Sequence, residues 1–281
     1  MASTVTSGGE PVRETGLSSL TKWSLVSLGI ALFAFLVLLP LSSVFGFAFE
    51  DGLSGFLGTV TEEGSMTAFR NSLYIALMAT IVNALLGTLM AWIMTRYRFF
   101  GRQVLRSLID LPIAIPTAVV GLSLMMLYGP MGLLGPVFTD RGFDVVMAMP
   151  GIILAHIFVT FPFTVRSVSV ALEGLDPDLE DAARTLGSRG PMTFLRVVLP
   201  SIRGGIIAGS ALTFTRSLGE FGATLFIAGG MVSTGPLHIY YLSDSRFDYQ
   251  AATSVAVVLM VFPFLLLLVV NYLVGRMEEG A

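Results

Sequence analysis

Long apolar runs are the feature that most constrains the fold of this chain. Six of them reach about 20 residues, the length that an α-helix needs to cross the hydrocarbon core of a bilayer. Only 12% of the 281 residues are charged, whereas soluble domains are about a quarter charged. We therefore predict an all-α integral membrane protein with six transmembrane helices. The predicted spans are Trp23–Val44, Leu73–Met94, Leu108–Tyr128, Val145–Val165, Gly204–Ala228 and Ala251–Val274.

The composition excludes several classes of functional site. The sequence contains no cysteine, which rules out disulfides, thiolate metal sites and cysteine nucleophiles. Its two histidines, His156 and His238, lie far apart in the chain, which argues against a multi-histidine metal site. A net charge of −3 gives no indication of a nucleic-acid partner. We therefore predict neither a metal site nor nucleic-acid binding.

The distribution of positive charge predicts that both termini are cytoplasmic. With residue 1 placed in the cytoplasm, the cytoplasmic segments hold twelve of the sixteen lysines and arginines, and the outer loops hold three. Such a bias is typical of membrane proteins. The remaining residue, Arg216, falls inside the fifth predicted span. The predicted organisation is a polar cytoplasmic tail at 1–22, a six-span domain at 23–275 with its longest inner loop at about 169–200, and a cytoplasmic tail at 276–281.

The first apolar run is predicted to remain in the mature protein as a membrane helix. It is longer than the 7–15 apolar residues of a typical signal-peptide core, and no clear A-x-A cleavage site follows it. A cleaved export signal is the alternative interpretation.

The inner loop carries the signals of two short helices. Asp176 and Pro177 suit the start of the first helix, and Gly187 suits its end. The second is predicted to begin near Pro191 and to stop at Pro200. The first helix has a narrow apolar stripe, which has three possible locations: against the inner ends of the spans, on the lipid interface, or in a groove of another protein. The stripe consists of Leu179, Ala182, Ala183 and Leu186.

Two charges are predicted inside the fifth span. Arg216 and Glu220 are four residues apart and therefore share one helix face. Each costs about 2.5–3.5 kcal/mol at the bilayer centre on insertion scales. They either neutralise each other as a structural ion pair or line and gate a polar path between helices. Gly219 and Gly222 beside them would allow another backbone to approach closely.

The spacing of residues in the inner loop resembles the signature of the ABC importer permeases. That signature reads Glu-Ala-Ala, three residues, Gly, nine residues, then Ile-x-Leu-Pro. The sequence departs from it in having Asp181 for Glu, with Glu180 just before it, and Val197 for Ile. The resemblance implies that the loop docks into a cleft of a cytoplasmic ATPase. The implied coupling residues are Glu180, Asp181, Ala182, Ala183, Gly187, Leu199 and Pro200.

Three further segments resemble the sulfate/thiosulfate and molybdate branch of these importers. They are Asp110–Pro136, Phe158–Val168 and Phe214–Phe226. The resemblance implies the import of tetrahedral oxyanions, with sulfate favoured over molybdate or tungstate. Arg216 and Glu220 are then candidates for the translocation path or its gate.

The partners follow from the same resemblance and from one missing motif. A phosphate-cradling loop of the form G-x-x-x-x-G-K-[ST] needs a lysine after a glycine run, and the sole lysine, Lys22, has none before it. The chain is therefore predicted to be no enzyme and to bind no cofactor, with ATP and Mg²⁺ held by a separate ATPase. The implied partners in the cell membrane are an ATPase dimer, a second permease subunit (identical or related), an external oxyanion-binding protein and membrane lipid.

Two other functional classes are less well supported. A secondary transporter driven by an ion gradient would not need the loop spacing, and the sequence has no obvious inverted repeat. An intramembrane enzyme would need a nucleophile or metal constellation. Three polar or small positions have structural explanations: His156 as a packed or hydrogen-bonded histidine, Asn83 as an inter-helix hydrogen-bonding group, and Gly205-x-x-x-Gly209 as a helix contact.

Overall fold

The computed structural model describes the backbone of residues 19–279 and the side chains of residues 21–276. All regular structure in this range is helical, which confirms the predicted fold class. Contacts divide the chain into two units, one ending at Gly46 and one beginning at Phe47. The helices are α1 Ser19–Phe33, α2 Leu39–Ala48, α3 Gly52–Thr61, α4 Glu63–Arg96, α5 Arg102–Ala114, α6 Thr117–Tyr128, α7 Gly135–Thr139, α8 Met149–Glu173, α9 Pro177–Thr185, α10 Gly190–Thr193, α11 Leu199–Ser201, α12 Arg203–Leu218, α13 Gly222–Ala228, α14 Gly235–Tyr240 and α15 Tyr249–Glu279.

Four helical segments are long and apolar enough to cross a membrane without a break. They are Thr21–Ala48, Glu63–Arg96, Met149–Glu173 and Tyr249–Arg276. Two further pairs of helices satisfy the same test together but are sharply bent, so the described residues provide four spans, or up to six if each bent pair is one span. The number six and the cytoplasmic location of both termini stay predictions.

The third predicted span, Leu108–Tyr128, is wrong as a single helix. Helix α5 ends at Ala114, and α6 starts at Thr117 with a change of direction of 107°. The break lies at Ile115 and Pro116, whose ψ angles of 135° and 130° are extended. Proline has no N–H to donate and disfavours helical geometry at the residue before it, which accounts for the break.

The fifth predicted span, Gly204–Ala228, is also interrupted. Helix α12 ends at Leu218 and α13 resumes at Gly222, so Glu220 lies between two helices and not within one. Glycine at 219 weakens the helix. The Glu220 carboxylate also accepts the N–H of Ala223 at 2.9 Å, which offers that group a partner outside the helical ladder. The prediction that Glu220 lies inside a continuous helix is therefore wrong, because α12 ends two residues before it.

Small residues bring α8 and α12 together, as the Gly205-x-x-x-Gly209 pattern predicts. A Cβ atom on Gly209 would lie 3.0 Å from Ser167 Cβ and 3.2 Å from Thr164 Cα. Gly205 is packed equally closely against Ala171, and its carbonyl accepts the Ser167 hydroxyl at 2.9 Å. Because neither position has room for a side chain, the two backbones approach closely along this seam.

Two of the three apolar clusters among the described residues are separated along α8. The first surrounds the amino-terminal half of α8 and includes Ile152, Ala155 and Val159, together with residues of α6 and α13. The second surrounds the carboxyl-terminal half and includes Val165, Val168 and Leu172. The second cluster lies beneath the inner loop, since it also contains Val198 and Ile202.

Some of the polar side chains between the helices form hydrogen bonds from one helix to the next. The Asn83 amide on α4 donates to Thr160 Oγ1 at 2.8 Å and to the Ile157 carbonyl at 3.2 Å, both on α8. Thr164 on α8 and Thr213 on α12 share a hydrogen bond of 2.8 Å. The predicted inter-helix role of Asn83 is thereby confirmed.

Candidate functional site

The first short helix of the inner loop has the predicted ends. The side chain of Asp176 accepts the N–H of Asp178 at 3.0 Å and caps α9, with Pro177 at the first helical position. At the other end Gly187 takes φ +87°, a value that favours glycine. The N–H of Gly187 bonds to the Arg184 carbonyl at 2.9 Å, and the next N–H bonds to the Ala183 carbonyl at 3.0 Å. This is a Schellman turn, so the chain reverses sharply after α9.

The second short helix does not stop at Pro200. Helix α10 continues through a π-helical turn at Phe194–Val198 into α11, which ends at Ser201, and α12 follows at an angle of 70° to the combined segment. Within the π-helical turn the N–H of Leu199 bonds to the Phe194 carbonyl, one residue further back than in an α-helix. Pro200 lies in the first turn of α11, where a missing N–H is tolerated.

The predicted apolar stripe is exposed. Leu186 is 89% exposed, and Leu179 is also exposed, so neither is buried against the spans. Met192 and Leu195 on the second helix are exposed as well. A cleft of about 660 Å³ lies between the two short helices. Its lining includes Ala183, Leu186, Arg189, Met192 and Val197.

The adjacent acids Glu180 and Asp181 have different environments. The Glu180 side chain is only 7% exposed, and its Oε1 accepts the Nε–H of Arg96 at 2.6 Å. Asp181 is 71% exposed and pairs only loosely with Arg184, at 3.4 Å. Glu180 therefore joins the loop to the end of α4, and Asp181 is the acid available at the surface.

The other predicted coupling residues lie on the outer surface of the loop. Ala182, Gly187 and Pro200 are exposed, whereas Ala183 and Leu199 are half-buried. Beneath them the second helix packs inward through Val198, and its Phe194 ring lies 4.9 Å from the ring of Trp92 on α4. The loop therefore presents one face outward and is fixed to the ends of α4 and α8 by the other.

Arg216 and Glu220 form the contact that their spacing predicts. Arg216 Nη1 lies 2.7 Å from Glu220 Oε2, with Glu220 only 1% exposed and Arg216 35% exposed. The second carboxylate oxygen of Glu220 accepts the N–H of Ala223. Gly222 is packed against Thr117 and Ala118 of α6, as predicted, whereas Gly219 has open space around its Cα. The pair bridges the interruption between α12 and α13.

Sequence reasoning missed the contact between Arg96 and Glu180 and the partners of His156. Arg96 lies 84 residues from Glu180, and no local pattern links them. His156 was predicted as a hydrogen-bonded histidine, which is confirmed, but its partners were not identified. Its ring nitrogens lie 2.6 Å from Ser217 Oγ and 2.9 Å from Thr224 Oγ1, on the two sides of the interruption. Among the described residues no group of three or more His, Asp or Glu could hold a metal ion.

The chain matches a family model and many proteins of known class. Residues 83–279 match the model described as "binding-protein-dependent transport system inner membrane component". The "sulfate transport system permease protein CysT" of Salmonella typhimurium is 40% identical over 255 residues, which is 89% of this chain and 92% of the relative. The "sulfate transport system permease protein CysW" of Synechocystis is 36% identical over 240 residues, 85% of this chain and 87% of the relative.

A solved structure supports the fold. A chain of a bacterial alginate ABC transporter, in complex with an alginate-pentasaccharide-bound periplasmic protein, aligns with a TM-score of 0.75 over 91% of this chain and 94% of that chain. Its 18% identity limits the comparison to architecture. The predicted resemblance to ABC importer permeases and the location in the membrane are confirmed. The chain belongs to the family of binding-protein-dependent transport system inner membrane components.

Proposed function

We propose that this chain is the permease subunit of an ATP-driven importer of tetrahedral oxyanions, with sulfate or thiosulfate as the transported ion. The observation that carries the choice of ion is 40% identity with a sulfate permease over 92% of that protein's length. The alginate transporter similarity contributes the architecture only. That alignment covers 89% of this chain.

The inner loop is the proposed contact with a cytoplasmic ATPase. Its outward face combines the exposed apolar side chains of Leu179, Leu186 and Met192 with an exposed acid, Asp181. A surface of this kind fits a groove with an apolar floor and a polar rim. The ATPase, as a dimer, would hold ATP and Mg²⁺, so that this chain contributes movement and no catalysis.

The attachment of the loop supports its role in transmitting movement. The Glu180–Arg96 pair joins α9 to α4, while the loop itself connects α8 to α12. A displacement of the loop therefore acts on three long helices at once. In the proposed mechanism, closure of the ATPase dimer moves the loop, and the helices rock between outward-open and inward-open arrangements.

The remaining partners complete the path. A second permease subunit, identical or related, would provide the opposite wall, and an external oxyanion-binding protein would deliver the ion and supply the selectivity. Arg216 is the proposed cation at the path, since it retains 35% exposure beside a Glu220 that is almost fully buried. Glu220 partly offsets its field, which suits an ion that must leave again.

Uptake of labelled sulfate tests the proposal. The complete complex in vesicles is expected to take up sulfate only with ATP, with unlabelled thiosulfate as an effective competitor and molybdate as a poor one. Uptake blocked by trace molybdate, with little sulfate transported, would instead identify a molybdate or tungstate permease. Absence of ATP-dependent uptake from an assembled complex would overturn the proposal.

A second experiment tests the docking surface. Leu186→Asp places a charge in the proposed apolar contact, and we expect it to abolish co-purification of the ATPase with the permease and to reduce uptake by roughly a hundredfold, as expected for a hot-spot contact. Met131→Asp is the matched control, because Met131 is also fully exposed but lies outside the loop. Equal loss of ATPase from both variants, or from neither, would contradict the assignment.

A further inference from the structure

One buried side chain bridges the interruption in the fifth span. His156 lies on α8, and its ring contacts Ser217 at the end of α12 on one edge and Thr224 in α13 on the other, at 2.6 and 2.9 Å. Glu220 lies between these two contact points in the sequence. A single residue of α8 therefore holds both sides of the segment that carries the Arg216–Glu220 pair.

The hydrogen bonds of His156 are complementary in its neutral form. A neutral imidazole has one N–H donor and one acceptor nitrogen, and each hydroxyl partner can serve in either sense. The Thr224 hydroxyl lies 3.3 Å from the Glu220 carbonyl, so the network reaches the backbone of the interruption itself. His156, its two partners Ser217 and Thr224, and Glu220 are all buried. Water has no access to replace a lost bond, and the ring therefore fixes a distance between two helices and a turn.

The backbone of His156 is also held by a side-chain hydrogen bond. One turn further along α8, the Thr160 hydroxyl donates to the His156 carbonyl at 2.6 Å and accepts from Asn83 at 2.8 Å. The same helix ends at Glu173, directly before the inner loop. The close seam of Gly205 and Gly209 keeps α12 against α8 between Thr164 and Ala171.

We propose that His156 is a positioning residue: it ties the interruption of the fifth span to α8, so that displacement of the inner loop rearranges the Arg216–Glu220 pair. This inference rests on the proposed function, because it requires the loop to be moved by an ATPase. Without the ring, α12 and α13 still pack on α8, but Ser217 and Thr224 are no longer linked. The coupling between loop and pair then weakens while the fold persists.

A cysteine reporter at position 219 measures this coupling directly. Gly219 is exposed, has φ −91° and has open space where a side chain would project, so Gly219→Cys fits without strain. The chain contains no other cysteine. In a full complex whose other subunits are cysteine-free, the rate of labelling by a water-soluble thiol reagent is compared between the nucleotide-free state and the state trapped with a non-hydrolysable ATP analogue.

The matched variants are His156→Ala, His156→Gln and Thr164→Val, each in the reporter background. The Thr164→Val control removes a buried hydrogen bond between α8 and α12 that involves neither Ser217 nor Thr224. With the wild-type ring, we expect labelling rates that differ severalfold between the two states. His156→Ala is expected to bring this ratio close to one and to reduce sulfate uptake roughly tenfold, a typical effect of losing a coupling contact. His156→Gln, whose amide keeps a donor and an acceptor, should recover part of both.

Three results would overturn the inference. The first is a full labelling ratio in His156→Ala. The second is an equal loss in Thr164→Val, which would indicate general damage to the core. The third is a ratio of one in the unmodified reporter complex that nevertheless transports sulfate. Failure of the proposed function has a different signature: the unmodified complex would import no sulfate, although its labelling ratio could still respond to nucleotide.

Discussion

Two ion pairs with nearly the same geometry serve different parts of this molecule. Arg96–Glu180 and Arg216–Glu220 have N–O distances of 2.6 and 2.7 Å, and in each the glutamate is buried while the arginine retains some exposure. The first joins residues 84 positions apart. The second joins residues four positions apart, across the end of a helix. One pair therefore holds two segments together, and the other fixes the shape of a single segment.

This difference shows that distance and burial alone do not define what a buried ion pair does. Removing the long-range pair takes away the ionic link between α9 and α4, whereas removing the local pair leaves α12 and α13 attached to α6 and α8 by their own packing. Buried pairs are poor evidence of net stabilisation, but breaking one by removing a single partner is costly. Four substitutions test how far the comparison holds.

The largest effect is expected from Glu180→Gln. It leaves Arg96, only 18% exposed, without its countercharge, and the expected cost is about 3 kcal/mol of folding free energy. We expect a clear drop in the thermal midpoint of the solubilised permease and loss of ATPase co-purification. Exchanging the two charges, as Arg96→Glu with Glu180→Arg, should recover part of both losses. If Glu180→Gln and the exchanged variant both fold but the exchange restores neither the thermal midpoint nor ATPase co-purification, the pair does more than link α9 to α4.

A smaller stability loss is expected from Glu220→Gln. The amide oxygen can still accept the Ala223 N–H, and Arg216, at 35% exposure, can turn toward water. We expect a cost of about 1–2 kcal/mol, typical of weakening a charged hydrogen bond, with uptake affected more than ATPase co-purification. If ATPase binding falls as far as it does in Glu180→Gln, the two pairs are not functionally distinct.

Gly187→Ala tests the turn after α9 while leaving the Arg96–Glu180 link between the loop and α4 intact. The φ of +87° at this position strains any residue with a Cβ, and the expected cost is about 1 kcal/mol with the Arg96–Glu180 pair intact. Because the turn after α9 orients the exposed stripe, ATPase co-purification should weaken severalfold while the thermal midpoint changes little. Gly190→Ala is the control, since Gly190 lies in the same loop with open space around it and no left-handed φ. Similar losses from both substitutions would argue against a special role for the turn.

The smallest effect is expected from Asp110→Asn. The Arg166–Asp110 pair has a good distance of 2.8 Å, but its side chains are 58% and 36% exposed, against 18% and 7% in Arg96–Glu180. Exposed pairs contribute at most about 1 kcal/mol, so neither the thermal midpoint nor uptake should change appreciably. A loss as large as that of Glu180→Gln would show that burial is not what separates these pairs.

Much of the fold could be predicted from the sequence because lipid imposes a strong length requirement on helices. The four unbroken spans follow from apolar length alone. The ends of α9 also follow from local chemistry, since Asp176, Pro177 and Gly187 each act on their own backbone or a near neighbour. Such short-range effects are visible in a single sequence.

The interruptions and the long-range contacts could not be predicted in the same way. Prolines at 112 and 116 look alike in the sequence, yet the chain breaks only at the second, because packing decides which proline a helix tolerates. The Arg96–Glu180 and His156–Ser217 contacts join residues far apart in the chain, and hydrophobic periodicity carries no information about them. The location of the apolar stripe had three alternatives, and its exposure excludes only packing against the spans, which leaves the lipid interface and a groove of another protein.

The π-helical turn at Phe194–Val198 has a consequence for how this chain tolerates insertions and deletions. A π-helical turn is equivalent to an α-helix with one residue added, so it rotates everything after it by about 100° relative to a regular helix. That rotation lets Leu195 project outward while Val198 remains in the core. Deleting one residue here would restore a regular helix and turn Leu199–Ser201 by that angle relative to α10. This five-residue turn therefore sets the rotational phase between the two ends of the second short helix, before the chain bends by 70° into α12.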